Sequence, residues 1–346
     1  NFKSKMTDKL LFGMGNPLLD IIADVSLDLI KKYNLKENDA ILAEEKHMPL
    51  YDEMVDNYKV VYIPGGATQN TIKVAQWVLK KKYASVYAGC VKDDKYGKKL
   101  NESCEQIGVR TLYQYNTGPE TTGVCACLIT GHNRSLVTSL GASCKFTADH
   151  LDKPEIWKYV EQSSLFYISS FFITSCHEAL IKVAKHSLEN NKTFCLNLGA
   201  EFLVEFFNAQ VTESIEYADY VFGNEAEALK LAQIGNYGTT DIKEIAVKIS
   251  QLPSKNPNRL RTVVITQGAD PTIIVYKGQV RAFPIVKISD NRIVDTTGAG
   301  DAFVGGFLAQ LLHGKSLEDC VKCANWTAGV IIRQAGCTFP EKCDWC

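Results

Sequence analysis

The residues with the clearest chemical potential are Asp295-Thr296-Thr297-Gly298-Ala299-Gly300-Asp301, followed by Ala302-Phe303-Val304-Gly305-Gly306-Phe307. Glycines at a helix start let an anion approach backbone N–H groups that have no intrahelical partner and carry partial positive charge. An acid beside such a site would repel the anion. Asp301 therefore reads as a base that takes a proton from a hydroxyl while the neighbouring donors hold developing negative charge. A tight turn with Asp301 as a helix-start carboxylate would account for G-A-G-D alone. The D-T-T before it and the apolar G-G helix after it favour the catalytic reading.

Other segments offer polar groups at places where a chain changes direction. Gly13-x-Gly15 lacks the third glycine of a dinucleotide fingerprint, because Leu18 stands there. Asn16 and Asp20, just beyond it, could hold a ligand at a strand end, or serve as a turn Asn and a solvated Asp. Gly65-Gly66 precedes a helix, with Asn70 in its first turn. Arg134 follows a hairpin turn at Gly131-His132-Asn133. Asn224 and Glu227 share a helix face three residues apart and read either as an ordinary cap or as a pair holding Mg²⁺ through water. Phe171, Phe172 and Phe202 lie beyond strand ends, as core or as an apolar slot for a flat base, with Cys125 and Leu136 completing it. No G-x-x-x-x-G-K-[ST] is present, which excludes a P-loop kinase.

Taken together, these segments resemble the ribokinase-like (PfkB) sugar and nucleoside kinases over nearly the whole chain, from Phe12 to about Lys342. The resemblance implies an anion hole at Gly298, Ala299 and Gly300, with Asp301 as catalytic base. The G-M-G-N-P-L-L-D, N-R-S-L, F-G-N-E and G-C-T-F-P segments resemble the branch that phosphorylates adenosine. The implied reaction is transfer of a phosphoryl group from ATP to the adenosine 5′-hydroxyl, giving AMP and ADP. The resemblance then places substrate at Asn16, Asp20, Gly65, Gly66, Asn70, Leu42, Cys125, Leu136, Phe172 and Phe202. Arg134 would reach the transferring phosphate. ATP would meet Asn197, Asn224, Thr266, Gly268 and Asn325, and Mg²⁺ would be held through water at Asn224 and Glu227. Relatives also use K⁺ near the glycine signature. A kinase for another nucleoside or a sugar is the nearer alternative. An inactive nucleoside-binding homologue is the other, and the intact set of Asp301, Arg134, Asn224 and Glu227 argues against it.

The elements that must position these groups follow from periodicity. Lys9–Met14, Ser85–Cys90, Leu165–Ser169, Thr193–Leu198, Asp219–Phe222, Thr262–Thr266 and Arg281–Val286 read as strands. Helices are expected over Asp28–Tyr33, Thr71–Lys81, a stretch closed by Gly108, His177–Glu189 and Leu317–Arg333. This alternation implies an α/β fold with a mostly parallel sheet covered on both faces. Val109–Tyr115, Gly123–Ile129 and Arg134–Leu140 are strands with no helix between them. With residues 20–63 they suggest a small, mostly β lid. The expected division is a large domain of 1–19, 64–116 and 141–346, and a lid of 20–63 and 117–140.

Composition sets the remaining bounds. The 346 residues are 46% hydrophobic with a net charge of -1, which gives no sign of a nucleic-acid or acidic-membrane partner. No apolar run reaches membrane-spanning length and no secretory signal is visible, so a cytoplasmic protein is expected, with the nucleus also open, acting as a monomer. Twelve cysteines are then free thiols by default. Cys320-x-x-Cys323 and Cys343-x-x-Cys346 have zinc-ribbon spacing, but the first pair lies in an apolar helical run and reads as core.

Overall fold

The computed structural model describes residues 9–37, 40–131 and 133–345. Its strands are β1 (Leu10–Met14), β2 (Leu18–Asp24), β3 (Ala40–Leu42), β4 (Val61–Gly65), β5 (Ser85–Val91), β6 (Arg110–Tyr115) and β7 (Val124–Thr130). They continue with β8 (Asn133–Ser139), β9 (Ser163–Ser169), β10 (Thr193–Asn197), β11 (Tyr220–Asn224), β12 (Thr262–Gln267), β13 (Asp270–Tyr276) and β14 (Gln279–Phe283). Nine of them form one sheet in the order β14-β13-β12-β11-β10-β9-β1-β5-β6. From β12 to β6 every pairing is parallel, and β13 and β14 close one edge as an antiparallel hairpin.

Adjacent residues on the parallel strands feed different cores, as a sheet covered on both faces requires. Leu11, Tyr87, Tyr167, Phe222 and Val264 pack on one side with the helices Ala67–Leu79, Ala299–Leu312 and Leu317–Ile331. Phe12, Val86, Phe166, Phe194, Val221 and Val263 pack on the other with the helix Ile173–Glu189. Cys320 and Cys323 are fully buried in the first core, as expected of helical core thiols. Cys346 lies outside the described residues.

The second sheet has the order β3-β8-β7-β2-β4. One of its faces, with Leu19, Ile21, Ala126, Leu128 and Val137, is closed by Leu50, Tyr51 and Met54 of a helix over Met48–Asn57. Tyr51 Oη anchors that helix by donating to the Val137 carbonyl at 3.0 Å. This helix was not expected from the sequence, although Pro49 at its start and Leu50 and Met54 at i, i+4 spacing are its local signals. The lid is therefore an α/β layer whose apolar face is continuous with the first core. Arg110–Tyr115, the first strand of the helix-free run, pairs with β5 in the large sheet.

The strand expected over Arg281–Val286 stops at Phe283. Pro284 has no N–H to continue the ladder, and Val286 is 84% exposed. The remaining expected strands and helices of the large sheet are found within a few residues, and Gly108 closes its helix at φ 85°.

Candidate active site

The helix Ala299–Leu312 starts at the carboxyl-terminal side of the parallel sheet, where open α/β sheets bind ligands. Gly298 caps it with φ 77°, and a Cβ there would fall 2.8 Å from Cys337 Cβ. Both facts require glycine. Ala299 N–H donates to Thr296 and Ala302 N–H to Gly298. Between them, the amides of Gly300 and Asp301 have no carbonyl partner among the described residues, and the space a Gly300 side chain would fill is open. The approach to this turn is fixed by Asp295, whose carboxylate accepts from Thr297 N at 2.8 Å and from Gly336 N at 3.0 Å. Sequence reasoning missed that tie, because the partner at Gly336 is 41 residues away.

Asp301 faces the cavity at the first turn of this helix. Burial pushes its carboxyl up to about 6, and a hydrogen bond from Asn70 Nδ2 at 3.0 Å opposes the rise. A carboxylate so placed is a stronger base than a solvated one and is still largely ionised at neutral pH. Its charge is felt by the buried Tyr167 and Cys337, both held above their ordinary values mainly by burial.

The double glycine meets the first polar segment. Gly66 has φ 94°, and a Cβ there would lie 2.3 Å from the Asn16 carbonyl oxygen. A Cβ on Gly65 would come within 3.0 Å of Asp20 Oδ2. The glycines thus bring the chain at Asn16 and Asp20 close to the start of the helix that carries Asn70; none of the three lines the cavity beside Asp301. The helix there starts at Ala67, four residues earlier than expected, which keeps Asn70 in its first turn. Asn16 is held by donating to the Phe171 carbonyl at 3.3 Å and accepting from Ser175 Oγ at 2.9 Å.

Strand ends line the cavity itself. Ser169, Asn197, Asn224 and Thr266 end or nearly end β9 to β12 and surround, with Gly300 and Asp301, a cavity of about 520 Å³. Asn224 and Glu227 form a reciprocal capping box: Asn224 Nδ2 donates to Glu227 Oε1 at 2.9 Å, Asn224 N to Oε2 at 3.1 Å, and Glu227 N to Asn224 Oδ1 at 2.9 Å. Burial pushes Glu227 up to about 7, with Glu201, Glu225 and Asp301 adding to the rise. Gly268 sits on the exposed β12–β13 turn and Asn325 on the Leu317–Ile331 helix, and neither surrounds this cavity.

The lid presents an ordered row. Leu42, Thr138, Cys125, Asp20 and Ile63 are successive cross-strand neighbours, so they share one face of the small sheet. Leu136 lies on the same face, two residues along β8 from Thr138. Leu42 is 61% exposed at the sheet edge. Thr138 Oγ1, which sequence reasoning missed, donates to Cys125 Sγ. Arg134 is placed in β8 opposite Ile129, and its side chain lies outside the described residues.

One aromatic must be corrected. Phe172, expected beside Phe202, has no exposed surface and packs on Phe146 with ring centroids 5.3 Å apart. Phe171 takes the place at the cavity, its ring 6.1 Å from that of Phe202. Ser170–Phe172 is a 3₁₀ turn, which sends consecutive side chains about 120° apart, so strand parity cannot be extended through it.

The pfkB family carbohydrate kinase model matches residues 28–343. The chain belongs to the pfkB carbohydrate kinase family. It is 45% identical over 338 residues to "Adenosine kinase 1" of Arabidopsis thaliana, covering 98% of each chain. "Adenosine kinase" of Schizosaccharomyces pombe is 41% identical over 338 residues, with 97% of each covered. Among solved structures, Anopheles gambiae adenosine kinase in complex with P1,P4-di(adenosine-5) tetraphosphate superposes with TM-score 0.90 at 44% identity, covering 97% of this chain and 99% of that one. The Schistosoma mansoni enzyme in complex with 2-fluoroadenosine gives 0.89 at 40% identity, covering 96% and 97%. The two-sheet architecture is the ribokinase-like fold of this family.

Proposed function

We propose that the chain is an adenosine kinase, transferring the terminal phosphoryl group of ATP to the 5′-hydroxyl of adenosine to give AMP and ADP. The observation that carries this reading is Asp301. It is a buried acid raised to about 6, set beside two unpartnered amides at a glycine-capped helix start. The full-length likeness to adenosine kinases supplies the substrate class.

Phosphoryl transfer asks for in-line placement and charge stabilisation more than for covalent chemistry. Asn16, Asp20, Gly65, Gly66 and Asn70 hold the ribose. Phe171 and Phe202, with Leu42, Cys125 and Leu136 from the lid, enclose the base. Asp301 takes the proton of the attacking hydroxyl, while the Gly298–Gly300 turn and, in the role that the resemblance gives it, Arg134 stabilise the charge on the moving group. Asn197, Asn224 and Thr266 line the ATP side.

Asn224 and Glu227 fit Mg²⁺ held through water. Their capping-box bonds leave further lone pairs on the carboxylate, and no group of three acidic, His or Cys ligands exists among the described residues for direct binding. Bound there, the ion supplies charge neutralisation on the phosphates. No described helix is long and apolar enough to cross a membrane. We take the enzyme to be a cytoplasmic monomer.

An ATP-consumption assay over adenosine, other nucleosides and ribose tests the reading. ADP formation should be fastest with adenosine. A preference for ribose or another nucleoside would replace the substrate, and no turnover with any acceptor would remove the kinase reading.

A further inference from the structure

A second cleft, of about 730 Å³, opens beside the Ala67–Leu79 helix and shares no lining residue with the cavity. Lys73 and Trp77 line it from that helix, one turn apart and on one face. Both are 6% exposed. The only bond of the Lys73 ammonium among the described residues is to the Pro64 carbonyl at 3.4 Å, and it has no ion-pair partner there. The Trp77 indole N–H is buried with no acceptor among the described residues. Ile63, Ile107 and Phe339 give the cleft an apolar wall, and Gln106, Thr338 and Glu341 line it as well.

A buried ammonium with one long acceptor and no ion pair, beside a buried indole N–H with no acceptor among the described residues, is unusual, because each under-satisfied group carries a desolvation penalty. A neutral ligand would satisfy the indole and leave the ammonium unpaired. A carboxylate has two oxygens and one negative charge, which matches one cation and one neutral donor. Lys80, Lys82 and Lys342 line the continuation of the cleft past Trp77, against Glu105 and Glu341. Tyr83 donates to Glu105, Lys80 donates to the Trp345 carbonyl, and Glu341 also lines the cleft itself.

We propose that this cleft is a binding site for a small organic carboxylate, its charged end on Lys73 and Trp77 and its apolar body between Ile63, Ile107 and Phe339. The site touches both moving parts of the reaction cavity. Pro64 immediately precedes the Gly65–Gly66 pair at the end of lid strand β4. Cys337, also in the cleft, is the residue against which Gly298 packs. Occupancy therefore alters adenosine affinity through the lid and the glycine turn. That clause rests on the kinase reading, whereas binding itself does not.

Benzoate and its uncharged analogue benzamide are suitable probes. In protein labelled with ¹⁵N at its four tryptophans, the Trp77 indole signal is assigned by its loss in Trp77→Phe. Benzoate should shift that signal saturably and benzamide should not. Lys73→Met should abolish the response and Lys73→Arg should retain it. No saturable shift with benzoate shows a cleft filled by water only, and an equal shift with benzamide shows that charge does not select the ligand; either overturns the site. A wild-type response in Lys73→Met removes Lys73 from it. If Lys73→Met fails to fold, the benzoate–benzamide comparison on wild type and Lys73→Arg still decides. Adenosine titration with and without saturating benzoate tests the coupling: unchanged affinity overturns that clause alone.

Discussion

Asp301 illustrates how one side chain acquires its chemistry from its surroundings. Its ordinary value would be about 3.9, and burial lifts it to about 6 against the pull of Asn70. As a base it must be ionised, so kcat/KM should fall on the acid side of about pH 6. Asp301→Asn should lower kcat by roughly 10²–10⁴, the usual worth of a positioned base. Stability has the opposite sign. The folded state favours the neutral acid, so stability is lost as pH rises from about 4 through about 6. Asp301→Asn should therefore melt no lower than wild type at pH 8. A large fall in melting temperature with turnover intact would make Asp301 a structural cap instead. Phe202 belongs to the same scale. Half-exposed beside Phe171, it should contribute stacking to the base. Phe202→Ala should weaken adenosine binding by about 1–3 kcal/mol and leave ATP binding nearly unchanged, as read by titration with each ligand.

At the scale of elements, the glycine turn before Ala299 couples backbone strain to function. Gly298 is left-handed and pressed on Cys337, so any side chain there meets both a conformational and a steric penalty. Gly298→Ala should cost about 1–3 kcal/mol of stability. It should also lower kcat more than adenosine affinity, because in the proposed mechanism the displaced amides serve the transferring group rather than the ribose. Chemical denaturation and steady-state kinetics on that variant check both parts. Equal losses in kcat and affinity would mean that the whole cavity had collapsed. In the Asn224–Glu227 box, burial raises the Glu227 carboxyl to about 7; a cation bound as proposed would lower it.

For the molecule as a whole, the two sheets suggest motion of one against the other. Leu19, Leu50, Met54 and Val137 of the lid belong to the same apolar cluster as Leu11 and Tyr87 of the large sheet, and the chain crosses between the sheets at Asn16–Pro17, at Gly65–Gly66, between β6 and β7, and after β8. We propose that residues 20–63 and 117–140 move as a unit and close over nucleoside, excluding water from the transfer. Hydrogen exchange should then slow in both segments when adenosine binds, while the β9–β12 strands change little. Exchange unchanged in both segments would leave a rigid lid.

Much of this was written locally. The Gly298–Asp301 and Gly65–Asn70 segments announce helix starts open to a ligand, because glycine and first-turn polar residues act through neighbouring backbone. The βα alternation announces a parallel sheet for the same reason: the periods of strand and helix are short. What the tertiary structure decided was every relation across long separations. Asn70 bonds Asp301 across 231 residues, and nothing in either segment encodes that the amide should temper the acid. Which of two adjacent phenylalanines meets the cavity depended on a 3₁₀ turn that breaks strand parity. The lid row from Leu42 to Ile63 required the register of five strands. The Lys73–Trp77 cleft is read from the sequence only as an ordinary helical face, since whether a donor lacks an acceptor is fixed by what the rest of the chain brings beside it.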